Sequence, residues 1–237
     1  MRKPDASDSI GEVSLQEIVA VMVHDLNNPL AALGTNLRFL ETLVKSSAPP
    51  DAVETMTDMR MLCDTLRRLV SNLGMFGQAE PPPARKVQLD VRTLTQGAVD
   101  RLATQASTSE LTLSFEPRIR IGEVFVERDP VLCERALDNL LAFAIERAVS
   151  RSAIEVSIVR ADLTEVQIRF TARPETPETS PHVSRSRVLQ SAYGRGLSLH
   201  GARISAEATG CRINVLREAQ TRMTLTLVLD GDDKQIA

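Results

Sequence analysis

The sequence predicts an α+β protein in two parts, an antiparallel helical hairpin followed by an α/β sandwich. Three observations carry that prediction. Apolar residues repeat at steps of three and four through the N-terminal third, three consecutive prolines interrupt the chain at 81–83, and short alternating strands are interleaved with helical stretches beyond them.

In the first helix Leu26, Leu30, Leu33, Leu37, Leu40 and Val44 alternate steps of four and three, the seam of a helix packed in a coiled-coil-like bundle. Two capping boxes, Ser9 with Glu12 and Ser14 with Glu17, compete for its start. "SSAPPD" breaks the pattern. Asp51 with Glu54 is expected to cap a second helix, in which Met59, Leu62, Leu66, Leu69, Leu73 and Phe76 repeat the same steps. A lone hairpin buries one stripe per helix and leaves further apolar surface uncovered. It is therefore expected to pair with a second copy as a dimeric four-helix bundle, formed by residues 1–78.

The prolines within "GQAEPPPARK" forbid helix and favour a semi-rigid extended spacer, so residues 79–86 are read as a linker. The second part, 87–237, begins with a short strand at Val87–Leu89 and a helix over 91–108, followed by strands near 111–116 and 120–127. A helix from Pro130 to Val149 precedes "AIEVSIVR" and "EVQIRFTA", which read as an antiparallel pair. After a Pro-rich irregular stretch come a helix from about Gly196 to Ala208 and strands near 211–216 and 222–229. Helices on one face of a mixed sheet are the economical packing.

Composition narrows the function. The chain has 237 residues and is 43% hydrophobic, enough for a substantial core, and its 28 basic and 31 acidic residues leave a formal charge of −3. No basic footprint favours nucleic acid or an anionic membrane. The most apolar run, "NLLAFAI", is too short to span a bilayer, and "MRKPDASDSI" lacks the apolar core of a signal peptide, so a cytoplasmic protein is expected. Cys63, Cys133 and Cys211 contain no CxxC pair, which argues against a zinc centre or a disulfide framework and for a reducing compartment.

The stretch "VMVHDLNNPLAAL" carries the chemistry. At helical spacing His24, Asn28, Ala31, Thr35 and Arg38 share one stripe, offset from the leucine seam, so His24 is expected to be exposed. A neutral imidazole keeps one unprotonated nitrogen, a nucleophile toward phosphorus when the other nitrogen holds the proton. Asp25 is placed to fix that tautomer, and Asn28, one turn on, adds an amide able to orient a water or a phosphoryl oxygen. Pro29 removes an N–H and crowds the carbonyl of Asp25, a cost of about 3 kcal/mol in a helix interior that is expected to bend or loosen the turn holding His24.

These residues resemble the histidine box of bacterial sensor histidine kinases: a phosphoacceptor histidine, an acid, Asn or Thr at the fourth following position, then Pro-Leu. The likeness extends to the order of parts, a dimerisation and phosphotransfer hairpin, a linker and a Bergerat-type ATP-binding domain. It implies His24 as phosphoacceptor, Asp25 as acid or base, and Asn28 as the amide used in dephosphorylating a response regulator. Ala31, Thr35 and Arg38 then belong to the surface that selects a receiver-domain partner.

The second part departs from the family. "RALDNLLAFAIERA" aligns with the asparagine box, and Asn139 matches its first asparagine. The second, which in the family ligates the magnesium of ATP, falls on Phe143, and a phenyl ring offers no oxygen to that ion. Where the family has Asp-x-Gly-x-Gly after a strand, this chain has "TARPETPETSPH", with neither aspartate nor glycine. Gly194 and Gly196 in "YGRGLSL" resemble the family's last glycine box, a vestige that would also serve as a plain turn before a helix. His182 and His200 show no partner spacing and are read as surface or packing residues.

A retained phosphoacceptor beside a degraded nucleotide site resembles the kinase-like histidine phosphotransferases. Function is thus expected in a phosphorelay, where His24 exchanges phosphoryl groups with receiver aspartates, possessing no cofactor or metal and fed by an upstream hybrid kinase. No sensory region is expected before the first helix, in keeping with a relay protein that receives its signal as a phosphoryl group. The same surface with Asn28 would serve a receiver phosphatase. Two alternatives stand beside this one: a divergent ATP-dependent histidine kinase using magnesium, and a non-catalytic module that binds a kinase or receiver.

Overall fold

A computed structural model describes residues 15–44, 49–76, 85–117, 124–160, 165–174, 197–218 and 221–230. Helix α1 (Leu15–Val44) and helix α2 (Pro50–Phe76) form the expected hairpin. α1 runs unbroken through Pro29, so the proline is absorbed without ending the helix. Its start lies beside residues outside the described set, which leaves the competing Ser9 and Ser14 caps there. α2 begins differently from expectation: Pro50 opens it, the Pro49 carbonyl accepts from Ala52 N at 2.9 Å, and Asp51 sits inside the first turn instead of capping it. Proline suits that first position because its missing N–H would have no helical partner there.

The predicted leucine seam of α1 divides in two. Leu30 and Leu37 are buried in the hairpin, whereas Leu26, Leu33 and Leu40 remain 41%, 49% and 44% exposed. Residues three apart on a helix are offset by about 60°, so one repeat of threes and fours feeds two neighbouring faces. On α2 the expected seam is likewise not the buried one: Met59 and Leu66 are exposed and Leu62, Leu69 and Leu73 half-buried, while Met61, Thr65, Val70, Asn72 and Met75 are buried. Across the hairpin Arg60 pairs with Glu41 at 3.2 Å. Arg67 Nη2 donates to the Leu30 carbonyl at 3.2 Å, lying where a side chain at Gly34 would otherwise stand.

The linker expected at 79–86 lies outside the described residues except for its last two; after it come β1 (Val87–Asp90), α3 (Val91–Thr108), β2 (Thr112–Phe115), β3 (Phe125–Arg128), α4 (Pro130–Arg147), β4 (Ala153–Arg160), β5 (Glu165–Ala172), α5 (Leu197–Ala208), β6 (Arg212–Glu218) and β7 (Arg222–Asp230). Both first helices of this part start on aspartate caps. Asp90 accepts from Arg92 N and Thr93 N, and Asp129 accepts from Leu132 N at 3.0 Å with Pro130 behind it.

The main sheet has the order β2-β4-β5-β7-β6, with β2 and β4 parallel and the other neighbours antiparallel. The main sheet is therefore mixed, as expected, but it does not take in every strand of this part. β1 and β3 pair only with each other, as a separate antiparallel ribbon whose Val126 and Leu89 pack on the core instead of extending the sheet. Alternation explains the layers. Ile154, Val156 and Ile158 of β4, Ile168 and Phe170 of β5, and Leu225, Leu227 and Leu229 of β7 are buried with α4, while the Ser157, Arg169, Thr226 and Asn214 row lies on the other face.

Within the core, Cys133 and Cys211 are free and buried. Their mutual hydrogen bond and burial push the Cys133 thiol far above the usual range, so it is a protonated packing group. No described helix is long and apolar enough to cross a membrane.

Candidate functional site

The histidine box lies on an open helix face. His24 and Asp25 are 75% and 68% exposed at their side chains, and His24 Nδ1 lies 3.1 Å from Asp25 Oδ1. An ionised carboxylate only accepts, so the ring proton belongs on Nδ1 and the lone pair of the neutral ring on Nε2. That nitrogen is the one available to an electrophile from solvent.

Asn28, Ala31, Thr35 and Arg38 are exposed along the same face, as their spacing requires. Thr35 Oγ1 donates to the Ala31 carbonyl at 2.9 Å and accepts from Arg38 Nη2 at 3.4 Å. The guanidinium is thereby laid along the helix surface. Fourteen residues separate His24 from Arg38, about 21 Å of helix. All six residues singled out on α1 are thus exposed along it, with His24 and Asp25 in contact at one end and Thr35 and Arg38 at the other.

The second group of predicted residues behaves differently. Asn139 is fully buried, and its amide is engaged on both ends: Oδ1 accepts from Asn72 Nδ2 at 2.7 Å, while Nδ2 donates to Asn72 Oδ1 at 3.0 Å and to the Arg135 carbonyl at 2.9 Å. Phe143, one turn on, is 3% exposed, with the Arg147 guanidinium 5.5 Å from its ring centre. Gly194 and Gly196, like His182, lie outside the described residues. His200 is exposed on α5.

These residues do not fit a magnesium–nucleotide complex. Phe143 has no donor atom for the ion, and Asn139 is committed to α2. Among the described residues no group of three or more His, Cys, Asp or Glu side chains is arranged to hold a metal ion.

Asn72 belongs to a polar seam between α2 and the sandwich. Arg68, one turn earlier on the same face, donates to Gln105 Oε1 at 3.1 Å and pairs with Glu146 at 3.8 Å, and Ser198 Oγ donates to Glu146 at 2.8 Å. Burial pushes Glu146 above the usual carboxylate range, against the lowering pull of Ser198 and Arg68. Asp138 is also raised by burial, although Arg101 grips it with both ends of its guanidinium fork at 2.8–3.1 Å.

Sequence reasoning passes over this seam. Its signals were faint: polar Arg68 and Asn72 among the leucines of α2, and Gly201 inside a predicted helix, where glycine costs about 1 kcal/mol and so points to a packing need.

No family model matches the chain. In sequence it is 27% identical to the sensor protein CreC of Escherichia coli (strain K12) over 186 residues, 77% of this chain and 36% of that protein. It is 23% identical to the sensor protein FixL of Bradyrhizobium diazoefficiens over 229 residues, 93% of this chain and 44% of that one. The chain spans less than half the length of these curated relatives. Among solved structures, full-length ShkA in complex with AMPPNP matches 91% of this chain and 46% of its own at a TM-score of 0.58 and 16% identity. The histidine kinase AdeS of Acinetobacter baumannii matches 89% of this chain and 98% of its own at a TM-score of 0.51 and 14% identity. In sequence the chain is similar to these two sensor proteins, and it shares its fold with ShkA and AdeS, a likeness that points to the bacterial sensor histidine kinases.

Proposed function

We propose that this chain is a phosphorelay histidine phosphotransferase that works without ATP, as a cytoplasmic homodimer. The observation that carries the reading is the exposed His24–Asp25 pair, with Nδ1 held at 3.1 Å from the carboxylate. Nε2 of His24 attacks the phosphorus of a receiver aspartyl phosphate. The N–P bond forms as the P–O bond breaks, and the receiver carboxylate leaves with the bonding pair. Asp25 keeps its hydrogen bond to Nδ1 and offsets the positive charge that the ring acquires. A second receiver aspartate then attacks the phosphohistidine and the ring returns to its starting state.

Ala31, Thr35 and Arg38 supply the receiver contact on this reading, and an upstream hybrid kinase supplies the first phosphorylated receiver. Support for working without ATP comes from Phe143, whose ring is buried where the family places a magnesium ligand. Support for the dimer comes from the exposed Leu26, Leu33 and Leu40 on α1.

A divergent ATP-dependent kinase is the second reading, favoured by the fold shared with ShkA, which was solved with AMPPNP. One pair of assays separates them. Incubation with a phosphorylated receiver is expected to label the wild type and not His24→Ala, and labelled Mg-ATP is expected to label neither. Stoichiometric labelling of His24 from ATP would transfer the conclusion to the kinase. Equal labelling of both proteins by the receiver would remove His24 from the chemistry, leaving a non-catalytic binding module.

A further inference from the structure

The fully buried amide of Asn139 does not face an open cavity. It meets the 1%-exposed amide of Asn72 on the hairpin in a reciprocal pair, two hydrogen bonds of 2.7 and 3.0 Å. Helix α5 closes over the same spot. A Cβ on Gly201 would stand 2.5 Å from Asn72 Cγ, so any side chain there has to push the Asn72 amide out of its pair. Arg68, Glu146, Ser198 and Gln105 continue the contact through hydrogen bonds and an ion pair.

We infer that Asn139 is a docking residue: with Asn72 and Gly201 it clamps the sandwich onto α2, and the hairpin itself covers the faces of α4 and α5 that carry Asn139 and Gly201. The inference stands whether or not His24 exchanges phosphoryl groups. Two paired amides buried together lose little, whereas one left alone carries its full desolvation cost. Undocking returns both amides to water, so the pair fixes where the sandwich seats on α2, and removing one amide from the docked state leaves the other buried and unpaired. The sandwich is then a fixed platform beside the phosphoacceptor helix, and a nucleotide reaching Asn139 would first have to displace Asn72.

Hydrogen exchange on the full chain, read by mass spectrometry, tests this. The reporting segments are 64–76 of α2 and 197–208 of α5, with β5 and β7 as internal references. Asn72→Ala is chosen because Asn72 lies outside the sandwich core. It is expected to speed exchange in both reporting segments on the order of tenfold while β5 and β7 stay protected. Gly201→Leu, which drives a side chain into the space of the Asn72 amide, is expected to give the same pattern. Unchanged protection of α2 and α5 in both variants would overturn the clamp. So would deprotection of α2 in the wild type on adding millimolar Mg-ATP, since that result would return Asn139 to a nucleotide.

Discussion

Asp25 holds the Nδ1 side of the His24 ring at 3.1 Å, with both side chains largely in solvent. On the proposed function the carboxylate selects which nitrogen reacts. Asp25→Asn keeps an oxygen able to accept but removes the charge, and it is expected to slow transfer from a phosphorylated receiver on the order of 10²-fold. Single-turnover kinetics would measure it. His24→Ala is expected to show no transfer, and a rate for Asp25→Asn equal to wild type would leave Asp25 without a role in the step.

The exposed leucines of α1 predict the oligomer. Leu26, Leu33 and Leu40 present a continuous apolar stripe outside the hairpin, and because each is already a little over half covered, burial of the rest by a second copy is worth about 1 kcal/mol apiece. Leu33→Glu is expected to convert a dimer into a monomer at micromolar concentration, as read by light scattering. A monomeric wild type would contradict the bundle.

Placing at 143 the asparagine that the resemblance implies for a magnesium ligand is expected to fail. Phe143 lies in the core, so Phe143→Asn replaces apolar packing with an amide that has no assigned partner there. A loss of about 3 kcal/mol or more is expected in thermal or denaturant unfolding. Calorimetry with Mg-ATP is expected to show no gain in binding, whereas a gain would mean that the helix can turn this position toward solvent.

Acid sensitivity should trace partly to Asp129. Burial raises its carboxyl, but hydrogen bonds from Leu132, Arg85 and Val131 N–H groups outweigh that and hold it below the usual range. Its folded-state proton affinity is thus lower than in the unfolded chain. The stabilisation is complete above the ordinary aspartate range and is lost as pH falls through the folded value. Asp129→Ala is expected to cost about 1 kcal/mol near neutrality, with the difference from wild type shrinking in acid. A constant difference from pH 7 to pH 3 would assign the cap's effect to something other than charge.

Much of this was legible from residue order, for stated reasons. Helix starts at 91 and 130 were readable because Asp90 and Asp129 are local caps, and β4 and β5 because their alternation reflects one buried face. His24 was readable as exposed because helical spacing alone separates it from the leucines. The division of those leucines between α2 and a second surface was not readable, since a three-four repeat cannot distinguish two faces about 60° apart. Nor was the Asn72–Asn139 pair, which joins residues 67 positions apart through contacts that no local pattern encodes.

That separation also orders the folding of the chain. The hairpin is made of local contacts and can close as soon as residue 76 has left the ribosome, whereas β2 finds its parallel partner β4 only after β3 and α4 have been synthesised. Until α4 and then α5 arrive, Asn72 and Arg68 wait in water on a finished helix, where they are soluble and harmless. Leucines at the same two positions would have formed a sticky surface on every nascent chain during that interval. A polar junction therefore lets the hairpin mature early and admit the sandwich last.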